Sequence, residues 1–456
     1  MSGKYTDKKS MLEGSLWNKI IGFAFPLAMT GILQQLFNAA DIAVVGNFTG
    51  EMGQVAMAAV GANTPIISFV VNSFLGLSLG TNVVVANAIG RKDEETVQKA
   101  VHTSMIVAVI GGIVVAVLAQ LLAEPVLRSQ NISEEAIDYA ILYFRIYMAG
   151  LPVILLYNFQ AAIFRGIGNT KIPFVALVIS GMVNVLLNIF FVIILHRTVD
   201  GVATATVISN LLSSVILLFF LTKSDTAAKF DRKKLRINGA VLWKILKIGL
   251  PAALQAIVFS TANIIIQAAI NSLGTLVAAA SSAAFNIEIF SYYVLNSFGQ
   301  ACTTFTGQNY GAKKFDRCRK TLKLCMIEGI VIEGLMVSFL MIFGKQLIAI
   351  FNPDPELVEI GYIRVILIIS AHLLSLFYDI MSGYMRGYGI SLSPAIVTMI
   401  SVCGIRIVWI KTVFVIFHTF QSIMIVYPLS LGTTALAMLV LLLIKRPAKR
   451  LSKIEA

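Results

Sequence analysis

The chain has 456 residues, 57% hydrophobic and only 13% charged, with 36 Lys and Arg against 23 Asp and Glu. A soluble domain carries about 25% charged residues, so this composition belongs to an integral membrane protein. The net charge of +13 lies in short stretches between apolar runs, as the positive-inside rule expects, which excludes nucleic acid as the partner.

The four cysteines (Cys302, Cys318, Cys325, Cys403) form no Cys-x-x-Cys pair and indicate neither a zinc site nor a disulfide framework. Apolar runs and their breaks predict twelve spans: 17–45, 57–88, 101–123, 138–164, 172–195, 201–222, 247–271, 275–306, 321–344, 360–385, 392–416 and 422–444. The first run is longer than the apolar region of a signal peptide and lacks a small-residue cleavage site, so it reads as a span. With a cytoplasmic N-terminus, 29 of the 36 Lys and Arg fall on the cytoplasmic side, which sets both termini inside a multi-pass protein of the cell membrane.

Span one holds Asp41 in its outer half. A carboxylate within a span costs at least ~2.5–3.5 kcal/mol on insertion scales, so something must offset it. Asp41 aligns on a helical wheel with Gln34 and Thr30, and Phe37 and Asn38 flank it. Such a polar stripe faces a cavity or a bundle interior rather than lipid. In span five, Asn184 and Asn188 are four apart and share a helix face, at mid-depth and in the outer half. Thr206 enters span six from the outer side at similar depth. A carboxylate with amide and hydroxyl oxygens from three helices suits a hard monovalent cation or a proton.

The longest charged connector, residues 223–246, divides the chain into an N-terminal lobe (1–222) and a C-terminal lobe (247–456) of six spans each. The halves match when shifted by 221–225 positions. Phe25-Pro26 answers Leu250-Pro251, and Asn87-Ala-Ile-Gly90 answers Gln308-Asn-Tyr-Gly311. The stretch from Phe164-Arg-Gly to Pro173 answers Met385-Arg-Gly to Pro394. An even number of spans per half gives the repeats one orientation, and parallel repeats of this kind mark alternating-access carriers.

The second half carries its own intramembrane charges. Glu288 lies mid-depth in span eight, and Glu328 and Glu333 lie in span nine. Asp379 in span ten shares a face with His372, while Arg406 and Lys411 in span eleven are expected to pair with an acid. Span seven offers Gln255 but no acid. No GxxxxGK[ST] spacing and no hydrolase constellation occurs, so the chain reads as no enzyme, without a cofactor, and energised by an ion gradient.

The sequence resembles the multidrug and toxic compound extrusion (MATE) family. The resemblance is carried by Pro26, Asp41 and Val45-Gly46, by Ala58-Ala-Val-Gly61 and by Val85-Ala-Asn-Ala-Ile-Gly90. The Arg-Gly-x-Gly-(x)4-Pro stretches at 165–173 and 386–394 and Gly307-Gln-Asn-Tyr-Gly-Ala312 extend it over nearly the whole chain. It implies an all-α integral membrane protein with twelve transmembrane helices in two pseudo-symmetric six-helix lobes. It also implies export of small cationic or amphiphilic organic compounds against sodium or protons, by a monomer in contact with membrane lipid. The family's cation site would fall on Asp41, Asn184, Asn188 and Thr206. Some members carry an acid where Asn188 stands, and many carry a Glu where this chain has Phe259. Candidate cavity liners are Gln34, Phe37, Tyr157, Gln255, Glu288, Tyr292 and Asp379, with Tyr293 beside Tyr292. A flippase of lipid-linked oligosaccharides from the related superfamily is the alternative; it would line its cavity with Arg and Lys, which are few here.

Overall fold

The structure, a computed structural model, describes residues 11–130 and 132–454. Hydrocarbon offers no partner to a backbone N–H or C=O, so apolar runs of this length close their hydrogen bonds within helices. No strand occurs among the described residues. The first half supplies α1 (Trp17–Phe48), α2 (Gly53–Gly90), α3 (Glu94–Arg128), α4, α5 (Lys171–Ile194) and α6 (Val199–Thr222). Here α4 consists of two pieces, Glu134–Ala149 and Leu151–Gly166, bent by 48° at Gly150. Pro152 explains the break, because it has no N–H to continue the ladder of the first piece. The second half supplies α7 (Gly239–Asn271), α8 (Thr275–Gly311), α9 (Phe315–Phe351), α10 (Pro355–Gly387), α11 (Leu392–Phe417) and α12 (Phe420–Lys445). A short α13 (Pro447–Ile454) follows.

Each predicted span falls on one of these twelve helices. Ten are long and apolar enough to cross a membrane alone, and α4 makes eleven when its pieces count together. The 37-residue α8 is not among them, because Asn286, Glu288, Ser291, Asn296 and Gln300 interrupt its apolar surface. Three helices contain a wide π turn: Phe190–Ile194 in α5, Val365–Ile369 in α10 and Met399–Gly404 in α11. Leu121, Leu335, Ile342, Ile350 and Ile416 are each more than two-thirds exposed, as residues facing hydrocarbon must be.

The helices form two compact units, and the division does not fall at a single point in the chain. The N-terminal unit takes residues 29–85 and 93–246. The C-terminal unit takes residues 11–28, 86–92 and 247 onward. The first is built around Val45, Met148, Leu155 and Phe159; the second contains a cluster around Phe23, Phe298, Phe305 and Leu376. The basic connector is fastened to the start of α3. His102 bonds the Asp231 backbone and stacks on Phe230, and Gln98 donates to the carbonyls of Ala227 and Lys229.

Inside the C-terminal unit the repeated Asn87–Gly90 and Gln308–Gly311 motifs meet. A Cβ on Gly90 would strike the carbonyl oxygen of Gln308, and one on Gly311 would strike the carbonyl oxygen of Asn87. Only glycine permits this reciprocal approach.

Candidate cation site

Asp41 lies near the end of α1, four turns beyond Pro26, whose missing N–H leaves the Gly22 carbonyl without its helical partner. Phe37, one turn before Asp41, rests on Gly181 of α5, where any Cβ would collide with its ring. Gly181 therefore lets α1 approach α5 closely at this level. Asn184 and Asn188, one and two turns further along α5, are thereby set opposite Asp41.

The four side chains that the helical spacing had grouped are in mutual contact. Asp41 is buried, with 6% of its surface exposed. Asn188 Nδ2 donates to its Oδ1 at 2.5 Å, and Thr206 Oγ1 donates to its Oδ2 at 3.1 Å. Asn188 Nδ2 also reaches Asn184 Oδ1 at 3.3 Å, and Asn184 Nδ2 lies 3.5 Å from Thr206 Oγ1. Tyr143 and Tyr147 of α4 sit within electrostatic reach of the carboxylate. Sequence reasoning missed both; their four-residue spacing on an aromatic-rich helix was the available signal.

No Lys, Arg or His forms an ion pair with Asp41 among the described residues. Neutral amides and a hydroxyl stabilise a buried carboxylate but do not cancel its charge. Asn188 Oδ1 is buried and has no hydrogen-bond partner. Turning an Asn amide exchanges its donor for its acceptor, so both amides can offer oxygen inward. One carboxylate, two amide oxygens and a hydroxyl then make an oxygen set suited to a hard monovalent cation.

The candidate cavity liners do not form one group. In the N-terminal unit Gln34 is exposed, Phe37 packs on Gly181, and Tyr157 is buried in the core. In the C-terminal unit Gln255 Oε1 accepts from Arg386 at 2.9 Å. Glu288 is paired with Arg364 at 2.9 Å, and Arg364 also donates to Ser281 at 2.7 Å. Tyr292 is half exposed beside Tyr293, and Asp379 accepts from Asn296 at 3.4 Å. His372 and Asp379, expected on one face, have different partners: His372 meets Ser291 and Glu333.

One expectation is corrected. Arg406 pairs with no acid among the described residues. It donates to Ser430 and Asn263 and lies over the rings of Tyr427 (4.2 Å) and Phe259. The π faces and neutral acceptors take the place of a carboxylate. Lys411 is exposed.

The MatE family model matches residues 26–190 and 251–410, the two halves of the repeat. The chain is 26% identical over 409 residues to the probable multidrug resistance protein YoeA of Bacillus subtilis, covering 88% of this chain and 87% of that protein. It is 25% identical over 413 residues to the probable multidrug resistance protein NorM of Thermotoga maritima, covering 88% and 86%. Its fold matches the outward-facing structure of a multidrug resistance MATE family transporter of the MOP superfamily. The TM-score is 0.89 at 22% identity, covering 99% of this chain and all of that one. A MATE structure in the bent conformation matches with a TM-score of 0.88 at 23% identity, covering 97% and 98%. The chain belongs to the MatE family and is a multi-pass membrane transporter rather than an enzyme.

Proposed function

We propose that the chain is a secondary active multidrug efflux carrier of the cell membrane, with both termini cytoplasmic. It exchanges cationic or amphiphilic organic compounds for sodium ions or protons by alternating access between its two lobes, as a monomer. The observation that carries this reading is the buried Asp41, bonded to Asn188 and Thr206 and lacking a basic partner among the described residues. The names of the relatives from Bacillus subtilis and Thermotoga maritima support the substrate class.

A cation or proton at Asp41 removes the uncompensated charge between α1, α5 and α6. The arrangement of α1 that holds the ion is thereby favoured, and the arrangement that holds the drug is favoured without it. That differential affinity couples the two fluxes. Turned inward, the unpartnered Asn188 Oδ1 serves either ion, as a ligand to sodium or as the acceptor for a protonated Asp41.

Efflux of ethidium or a fluoroquinolone from cells expressing Asp41→Asn tests the coupling role, and loss of ion-dependent efflux is expected. Undiminished ion-dependent efflux would remove Asp41 from the mechanism. In vesicles, dye movement that follows an imposed sodium gradient rather than a pH gradient identifies the ion.

A further inference from the structure

A second buried polar group lies within the C-terminal unit and has no part in the Asp41 site. Midway along α8, Ser291 stands between Glu333 of α9 and His372 of α10, with exposures of 0%, 0% and 5%. The Ser291 hydroxyl is hydrogen-bonded to Glu333 Oε1 and lies 2.6 Å from His372 Nδ1. The imidazole and carboxylate are 3.7 Å apart, too far for a direct hydrogen bond, so the serine links them.

A hydroxyl has one proton to donate. If Ser291 donates to Glu333, the contact with Nδ1 needs an N–H on the imidazole. If Ser291 donates to Nδ1, the contact with Glu333 needs a proton on the carboxyl. The chain of three groups therefore has two opposite orders, and one proton step converts one into the other. Two further observations point to a ligand. Glu333 Oε2 is buried without a partner, and both carboxylate oxygens of Glu328, five residues earlier on α9, are buried without one. His372 Nε2 makes no hydrogen bond among the described residues.

We propose that Ser291, Glu333 and His372 form a proton-binding site, in which a proton taken up on the imidazole is stored on the carboxyl through the serine. A proton first binds His372 Nε2. The Nδ1–H bond then breaks as an O–H bond forms on Ser291, and the original Ser291 O–H proton passes to Glu333. The products are a neutral imidazole protonated at Nε2 and a neutral carboxylic acid. None of the three groups then carries a charge.

Ionisable groups on the helices packed against α10 include Glu288, Tyr292 and Tyr293 of α8, Cys325 and Glu328 of α9, and Tyr427 of α12, and Arg406 of α11 lies within electrostatic reach of Tyr378. Arg364, Tyr378 and Asp379 belong to α10 itself. Glu288 is committed to Arg364, and Asp379 bonds Asn296, which leaves Glu333 as the carboxylate bonded into the serine chain. The site does not depend on the reading of Asp41, and its test needs no transport.

The full-length protein is purified into lipid nanodiscs with ring-15N histidine. Four histidines are present, and the exposed His196 and His418 serve as references. His372→Gln identifies the His372 signal by its loss. On acidification the wild-type signal is expected to change from the Nδ1–H to the Nε2–H neutral form, accompanied by an infrared carboxylic-acid band. Glu333→Gln is expected to remove the component of that band that accompanies the change of tautomer, and Glu328→Gln to retain it. Ser291→Ala is expected to abolish the change of tautomer, and Ser291→Thr to restore it. A band left unchanged by Glu333→Gln overturns the proposal. So does a wild-type His372 without the change of tautomer, whether or not the variants fold.

Discussion

Glu288 and Arg364 form a buried ion pair whose members cannot be removed singly. Their side chains are 13% and 6% exposed, two guanidinium nitrogens sit 2.9 Å from one carboxylate oxygen, and Ser281 and the Phe285 ring complete the surroundings. Arg364→Met leaves a carboxylate without its counter-charge, and removing one member of a buried pair costs about 3–5 kcal/mol. The double variant Glu288→Met with Arg364→Met is expected to lie much nearer the wild type. Thermal unfolding of the purified protein measures both. Glu288 was visible in the sequence because a charge inside an apolar run is conspicuous. Its partner was not, because Arg364 sits nine residues from the start of α10, where a basic residue reads equally well as a flank. Arg406 misled in the opposite sense. Hydropathy records that a charge must be satisfied but not whether a carboxylate or an aromatic face satisfies it.

The meeting of α1 with α5 depends on a single missing methyl group. Gly181→Ala puts a Cβ into the ring of Phe37, and overpacking of this kind costs about 1–3 kcal/mol. Because Asp41 lies one turn past Phe37, the displacement also separates the carboxylate from Asn184 and Asn188. The variant is expected to fold and, on the proposal that sodium binds at Asp41, to bind it about tenfold more weakly, a loss of about 1.4 kcal/mol. Sodium-dependent protection against thermal unfolding reports it. Two properties made Asn184, Asn188 and Thr206 legible beforehand: helical spacing fixes a face, and counting from a helix end fixes a depth. Neither property identifies Tyr143, whose ring resembles any other aromatic in an apolar helix. The π turns after Asn188 and before His372 were likewise hidden, since one extra residue per turn leaves hydropathy unchanged.

At the scale of the chain, the twelve apolar runs located the helices because no other backbone arrangement satisfies itself in hydrocarbon. The same reading located α8, although it is too polar to qualify alone. The allocation of residues 11–28 and 86–92 to the C-terminal unit was not legible, because the cuts at 28/29 and 85/86 fall inside uninterrupted helices. The repeat was legible, and the structure gives part of it a cause in the glycine contact. Gly90→Ala and Gly311→Ala are each expected to destabilise by about 1–3 kcal/mol. Combined, they should cost less than the sum, because the first already opens the joint that the second disturbs. Chemical denaturation of the three variants provides the comparison. The two contacts also exchange places under the 221-residue shift: Gly90 meets the counterpart of Asn87, and Asn87 meets the counterpart of Gly90. This is the rule of an isologous interface, in which one patch is its own complement. A six-helix chain bearing a single copy of the motif would therefore carry both halves of this contact on one patch.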